Sequence, residues 1–599
     1  MVRQLIEHPA TTESPAVLTS YTYVGNPSWH YDDNELTKPQ YRTWGEFRGY
    51  STVDVTVGDS GTDQLKTRYR FFQGMNGDRL TPTGGTRSAT VDGITDHEEF
   101  NGQTREIITY TGAAPVGSTR TVPWRSAPTA TGSDGTTARY IGAETNETLT
   151  YGTAFSGGVR TTRTVTTHDS YGMPSQVDDQ GDTATATDDR CYRTEYTRNT
   201  SINMLDRVQR SEVVGKACAT TPTRPNDVIS DERTTYDGGA FGAAPTRGLA
   251  TNTSQIASYS GSTPTYVTVN NATYDSHGRV VSVSDALGRT STAAYTPAAG
   301  GLVTKLVVTS NDPDAGGPLT PHVTTTDLDP AWGLQTKVTD PNAKVTSGSY
   351  DALGRLLEVW LPGRVQGTHT PNTKQTYAVS ATGENAVTTE TLIHDGTYRL
   401  TTTIYDGLLR ERQSQRPTSD RDTAGRVVTG TTYDSRGLTV IRNAPWYTSG
   451  TVSTTAVIPS TAIPGRTITI YDGAGRQTAE ITQVNEIEQW RTTTTYDGDR
   501  THIDPPTGGV PTTTITDSRG NPKQLLSYTG PAPTGAFHTT NYTYDIAGRM
   551  TAMNDHAGNT WTNTYDLRGR LLSSTDPDAG ASSCTDDGAD QRLTTTDAR

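Results

Sequence analysis

The feature that most constrains this chain is a turn that keeps returning. Residues 541–570 read NYTYDIAGRMTAMNDHAGNTWTNTYDLRGR. Tyr544-Asp545-Ile546-Ala547-Gly548-Arg549 is one turn, and Tyr565-Asp566-Leu567-Arg568-Gly569-Arg570 repeats it 21 residues later. Between them Asp555-His556-Ala557-Gly558-Asn559 is a half-copy without the tyrosine. A type I turn favours Asp first and Gly fourth, and the Asp side chain accepts a hydrogen bond from the backbone two residues on. The glycine takes the positive φ that a type I turn with a G1 bulge needs in a hairpin. Tyr closes one strand and Arg opens the next, so the unit is a β-hairpin with no helix in it.

Recurrence lifts the motif above chance. Tyr-Asp stands at Tyr31, Tyr236, Tyr274, Tyr350, Tyr405, Tyr433, Tyr471, Tyr496, Tyr544 and Tyr565, where random pairing of 29 Tyr with 65 acidic residues gives about 3. Gly-Arg follows at fixed offset in Tyr274-Asp275…Gly278-Arg279, Tyr350-Asp351…Gly354-Arg355 and Tyr471-Asp472…Gly475-Arg476. Tyr405-Asp406-Gly407-Leu408-Leu409-Arg410 and Tyr433-Asp434-Ser435-Arg436-Gly437 are degenerate copies. Asp285-Ala286-Leu287-Gly288-Arg289 and Asp517-Ser518-Arg519-Gly520 are further half-copies. An active site needs one constellation, whereas a scaffold needs many equal turns. The arginines 279, 355, 476 and 549 are therefore expected to stack or pair along a sheet.

These residues resemble the YD repeats of the RHS family. That family holds bacterial rearrangement-hotspot proteins, the shell subunits of insecticidal toxin complexes and animal teneurins. The resemblance covers residues 231–599. The segments 44–50 (WGEFRGY) and 71–80 (FFQGMNGDRL) are similar to the region that precedes YD repeats in actinobacterial RHS proteins.

Two domains are expected: a β-rich, loosely periodic region over 1–230 and the repeat array over 231–599. Thr52–Val57 alternates Val with polar residues, as a half-buried strand does. Stretches near 312–321, 361–374 and 443–466 read as insertions projecting from one face of the array. The final Asp597-Ala598-Arg599 resembles a half-turn, which suggests part of a longer protein, against the alternative of a natural end that frays.

Composition narrows function. The net charge of −14 opposes nonspecific binding to nucleic acid or anionic membrane. No apolar run approaches the roughly 20 residues that span a bilayer. The opening residues have no secretory apolar core. There are 29 Tyr but 7 Phe, and Tyr suits a surface that is not fully dry. A thin, hollow sheet and a row of small β modules both satisfy that bias. Cys191 and Cys218 are candidates for a disulfide that would leave Cys584 over; three isolated thiols is the alternative. No Cys/His spacing argues for zinc, and no cofactor is expected.

Other candidates for chemistry weigh lightly. His168-Asp169-Ser170 has triad residue types, but Tyr171-Gly172 follows and a turn is the better reading. Asp312-Pro313-Asp314-Ala315-Gly316 and Asp576-Pro577-Asp578-Ala579-Gly580 faintly suggest calcium loops, without the closing Glu.

The expected fold is all-β: a long antiparallel sheet of YD hairpins coiling into a hollow shell or part of one. In similar proteins the tyrosines face inward. The resemblance implies a non-enzymatic shell of a polymorphic toxin, secreted or at the cell surface. Such a shell encloses or presents a C-terminal toxin cargo belonging to the same longer polypeptide and absent here. The alternative is a cell-surface adhesion or carbohydrate-binding module, with Trp446-Tyr447 as a stacking pair for glycans. A third reading is an enzyme with its site in residues 1–230.

Overall fold

In a computed structural model the described residues are all but 10–14, 33, 35, 61–62, 134, 315–316, 420–423, 460–461 and 599. Strand follows strand, and the described residues contain no α-helix, only four three-residue 3-10 turns. Thirty-nine strands form one antiparallel sheet. Pairing follows chain order. Gln4–Glu7 pairs with Val17–Val24, then Thr52–Val57, Leu65–Phe71, Thr104–Thr111, Ala114–Arg125 and Ile141–Tyr151 join in turn. From there each strand pairs with the next, through to Arg592–Thr596. The first and last strands do not meet, so the sheet is an open ribbon. It runs unbroken past residue 230, where Met204–Val214 pairs with Val228–Tyr236.

The turn chemistry explains why strands end where they do. At Asp275 the N–H of Gly278 returns to the Asp275 carbonyl, and the Asp275 N–H to the carbonyl of Arg279. Gly278 and Gly354 take φ of 79° and 77°. The register slips by one residue at Tyr274, Tyr350, Tyr471, Tyr544 and Tyr565. That is the bulge a three-residue hairpin loop requires.

In a meander, successive turns fall on opposite edges. The full YD turns at 275, 351, 406, 434, 472, 497, 545 and 566 all lie on one edge of the ribbon. The half-copies at 285 and 555 lie on the other.

The ribbon coils onto itself edge to edge, with a fixed period. The loop after the first strand meets the turn after the twenty-fourth (Tyr398–Tyr405), where Gly407 N–H donates to Pro9 O at 2.6 Å. The loop after the third strand (Thr52–Val57) meets the turn after the twenty-sixth (Gly425–Tyr433), through Asp59 N–H to Ser435 Oγ at 2.9 Å. The loop after the seventh (Ile141–Tyr151) meets the thirtieth (Ile487–Asp497). The loop after the fifteenth (Val280–Ser284) meets the thirty-eighth (Gly580–Asp586), where Arg289 reaches Gln591 at 2.8 Å. Each pair differs by twenty-three strands, although the separation along the chain falls from 398 residues between Pro9 and Gly407 to 302 between Arg289 and Gln591. At about 4.8 Å per strand such a coil is about 110 Å around and about 35 Å across at the backbone.

The apolar burial is correspondingly thin. The accessible surface is 32027 Å² for 64.4 kDa, where a compact chain of that mass exposes about 20,000 Å². Val428, Trp446 and Ile463 form a buried cluster. This corrects the expected surface pair at 446–447. Neighbours on a strand face opposite ways, so Trp446 is 6% exposed in that cluster while Tyr447, 65% exposed, stands outside alone.

Candidate functional site

The YD turns that end in Gly-Arg carry the same set of contacts. Asp351 Oδ1 accepts the N–H groups of Leu353 (2.9 Å) and Arg355 (3.0 Å), and Oδ2 takes Arg355 Nε at 2.6 Å. The Asp–Arg Nε distance is 2.6 Å at Asp275–Arg279, 2.9 Å at Asp472–Arg476, 2.7 Å at Asp545–Arg549 and 2.6 Å at Asp566–Arg570. The Arg355 backbone N–H holds the Asp351 carboxyl below the usual carboxylate range, against an opposing push from burial, with its guanidinium adding to the effect. Asp237 does the same for a longer loop: burial is outweighed by the N–H groups of Arg247, Leu249, Gly248 and Thr246, which bring it down to about 2.

The arginine then lies over the ring of a tyrosine from the next turn on that edge. The separations are 4.6 Å for Arg279–Tyr295, 4.5 Å for Arg355–Tyr377, 4.4 Å for Arg476–Tyr496 and 4.9 Å for Arg549–Tyr565. Each such tyrosine hydroxyl donates to the carbonyl of the residue after that arginine: Val280, Leu356, Gln477 and Met550. Tyr274, Tyr350, Tyr471 and Tyr544 donate in the same sense to Ala250, Gln335, Thr439 and Pro522. Asp, Arg and Tyr are thus consecutive links along one edge. Tyr295 and Tyr377 belong to the set although no Asp follows either of them.

The seam between coils uses the same turns. Asp497 Oδ1 and Oδ2 accept Thr153 N–H (2.6 Å) and Oγ1–H (2.5 Å). Arg160 reaches Asp499 at 3.4 Å and Arg519 reaches Asp179 at 2.8 Å. Ser518 donates to Asp188. Glycine permits the approach: a Cβ on Gly152 would lie 2.5 Å from Gly498 Cα, and one on Gly215 would lie 2.9 Å from Ile546 Cβ.

Asp497→Ala removes two charge-assisted hydrogen bonds and should cost about 2 kcal/mol in urea unfolding, with Thr153→Val costing less. The Thr153 hydroxyl, chiefly, holds the Asp497 carboxyl below 3.8. A depressed carboxylate stabilises the fold above its unfolded pKa, and that contribution is lost as pH falls through the folded value. The gap between wild type and Asp497→Ala should therefore be full at neutral pH and shrink below about pH 4. A constant gap down to strong acid would refute this role.

The remaining sequence candidates fall into place individually. Asp169 caps a turn by accepting the N–H groups of Tyr171 (2.8 Å) and Met173 (3.1 Å), and it pairs with Arg198. His168 stacks on Trp124 at 4.1 Å, and burial lowers its pKa. Asp576 spends Oδ1 on the N–H groups of Asp578 and Ala579, and Asp312 accepts from Asp314 N–H. Ala315 and Gly316 lie outside the described residues. Among the described residues no three His, Cys, Asp or Glu converge as metal ligands do. Cys191 and Cys218 are joined as a disulfide, and Cys584 is free and buried. No described helix is long and apolar enough to cross a membrane.

Comparison with known proteins agrees with this geometry. The RHS Repeat family matches residues 329–359 and 544–581, segments that contain the turns at 350, 544 and 565. No curated protein matches in sequence. Among solved structures, TcdB2-TccC3 superposes with a TM-score of 0.72 at 14% identity, over 97% of this chain and 37% of that one. The same protein without its hypervariable C-terminal region gives 0.72 at 13%, over 97% and 38%. The Photorhabdus luminescens Tc holotoxin pore also gives 0.72 at 13%, over 97% and 38%. The chain spans little more than a third of those chains, and at such identities the likeness is one of fold.

Proposed function

We propose that this chain, an RHS-repeat protein with the fold of the toxin-complex shell, is a section of wall that encloses or presents a C-terminal toxin cargo carried on the same longer polypeptide. The observation that carries the reading is the coil itself. A ribbon that returns to its own edge every twenty-three strands surrounds a central space, and its recurring polar residues are consumed in holding that coil. The wall acts as a scaffold rather than a catalyst. In it Tyr274, Asp275, Gly278, Arg279 and their counterparts in each turn are structural, and residues 1–230 and 231–599 contribute successive parts of one ribbon. The Cys191–Cys218 bridge suits an oxidising, extracellular setting.

Enclosure has a direct test. With the chain joined to its native C-terminal extension, limited proteolysis should cut the cargo at least about tenfold more slowly than the same domain alone, because proteases act on the accessible, opened population. Equal rates would overturn enclosure.

A further inference from the structure

Two histidines meet on the ribbon edge that carries the half-copy turns. His538 is the second residue of the strand Phe537–Tyr544, and His556 is the second residue of the turn 555–559. Register brings them together. Asn541 pairs with Asn554, so the chain from Asn541 back to His538 runs beside the chain that enters the turn. The two ring centroids lie 4.1 Å apart, with their planes crossing at 68°. Both residues are exposed. The edge is open here, since a Cβ on Gly535 or Gly558 would meet no described residue within 4 Å. The turn that presents His556 is firmly held: Asp555 accepts both the backbone N–H and the side-chain amide of Asn559, each at 2.8 Å.

Other histidines spend a ring nitrogen on a neighbour. His277 Nδ1 meets Ser276 Oγ at 3.2 Å, His369 Nδ1 accepts Val365 N–H at 3.0 Å, and His502 Nδ1 meets Thr513 Oγ1 at 2.7 Å. Among the described residues, the rings of His538 and His556 have no hydrogen bond and no ion pair. Two adjacent imidazoles therefore keep their nitrogens uncommitted at a place that solvent reaches.

We propose that His538 and His556 chelate one copper(II) ion, with water completing its coordination. A metal–imidazole bond of about 2.0 Å puts each ring centre about 3.2 Å from the ion, so two rings at a right angle have centres about 4.5 Å apart and two at a tetrahedral angle about 5.2 Å apart. The observed 4.1 Å stands at the right-angle end. That is the angle of tetragonal copper(II), whereas zinc prefers the tetrahedral one. Imidazole nitrogen suits copper, which also binds most tightly among the divalent first-row ions, while calcium and magnesium seek oxygen. Exposed rings turn about their side-chain torsions within nanoseconds, so both nitrogens can be aimed at one point without moving the backbone. The ion clips the loop 529–536 to the turn 555–559. The site is independent of whether the wall encloses a cargo.

The test is a calorimetric titration of the full, untagged, EDTA-stripped chain with CuCl2, ZnCl2 and CaCl2 in turn, with electron paramagnetic resonance of the copper-loaded sample. One copper(II) per chain is expected, bound at least about tenfold more tightly than zinc. Its spectrum should be tetragonal, with coupling to two nitrogens. His538→Ala and His556→Ala should each weaken copper binding about tenfold or more with unchanged circular dichroism, because each removes one arm of the chelate. His277→Ala, in a turn on the opposite edge, should leave it unchanged. No saturable copper binding, zinc bound as tightly as copper, coupling to fewer than two nitrogens, or unaltered affinity in either His538→Ala or His556→Ala would each overturn the proposal.

Discussion

Asp231→Ala should lower the unfolding free energy by about 3–5 kcal/mol, the range for removing one partner of a buried ion pair. Asp231 is 1% exposed. It accepts Arg210 Nε at 2.9 Å and Nη2 at 2.8 Å, together with the Tyr266 hydroxyl at 2.6 Å. Arg210 and Asp231 stand on adjacent strands and Tyr266 two strands beyond Asp231, with Ala250–Ser260 between, so one carboxylate links residues across four consecutive rungs of the ribbon. Arg210 also reaches Glu212, which is 3% exposed and shared with Arg193 and Arg224. The Asp231 hydrogen bond is the chief reason the Arg210 guanidinium is held firmly charged. Burial, then the Asp231 contact, pushes the Tyr266 phenol up to about 12. Truncation strips the half-buried Arg210 guanidinium of its two-pronged partner, leaving it Glu212 and Glu195, and takes the acceptor from the Tyr266 hydroxyl. Urea unfolding of Asp231→Ala against Asp231→Leu/Arg210→Met checks the cause, since removing both charges together should recover much of the loss. A single variant costing under about 1 kcal/mol would deny the cluster its role.

Cys218→Ser should cost about 3.5 kcal/mol on the chain-entropy account of a cross-link closing 27 residues. The bridge closes residues 191–218 and so pins Cys218, within the 215–227 connection from Met204–Val214 to Val228–Tyr236, to the strand Arg190–Asn199; Gly215 of that connection lies against Ile546 of the later coil. Releasing it frees both a strand connection and a contact of the seam. The thermal midpoint under reducing conditions should fall to that of Cys218→Ser, and new protease cleavage should appear within 215–227. A midpoint indifferent to reductant would contradict this.

The local half of the motif was readable from sequence because it closes within five residues. Asp capping its own turn, Gly at positive φ and Arg returning to Asp require no knowledge of distant chain. That the arginines stack or pair along the sheet follows from their recurrence, but which ring each one meets, and the tyrosine's hydroxyl partner, are not readable. Their partners lie one turn along the edge, across intervals that vary, as from Arg279 to Tyr295 and from Arg355 to Tyr377. Trp446 faces inward although its neighbour Tyr447 faces out, because a strand residue's face depends on register, which aromatic character does not reveal. The seam was furthest from view, since Thr153 and Asp497 are 344 residues apart. Only strand counting relates them, and insertions hide the count in residue numbers.

An odd period has a consequence for how such a wall changes length. Turns alternate between edges, so an odd number of strands per lap brings unlike rims together, and an even number would set like against like. Loss of one strand would reverse every later pairing. Loss of a whole hairpin would preserve the sense but advance each later turn by one place on the thread. With two strands removed between residues 290 and 400, Asp497 would come to rest beside Gly112 instead of Thr153. The screw can be lengthened or shortened only in hairpins, and each such edit re-cuts all the thread that follows.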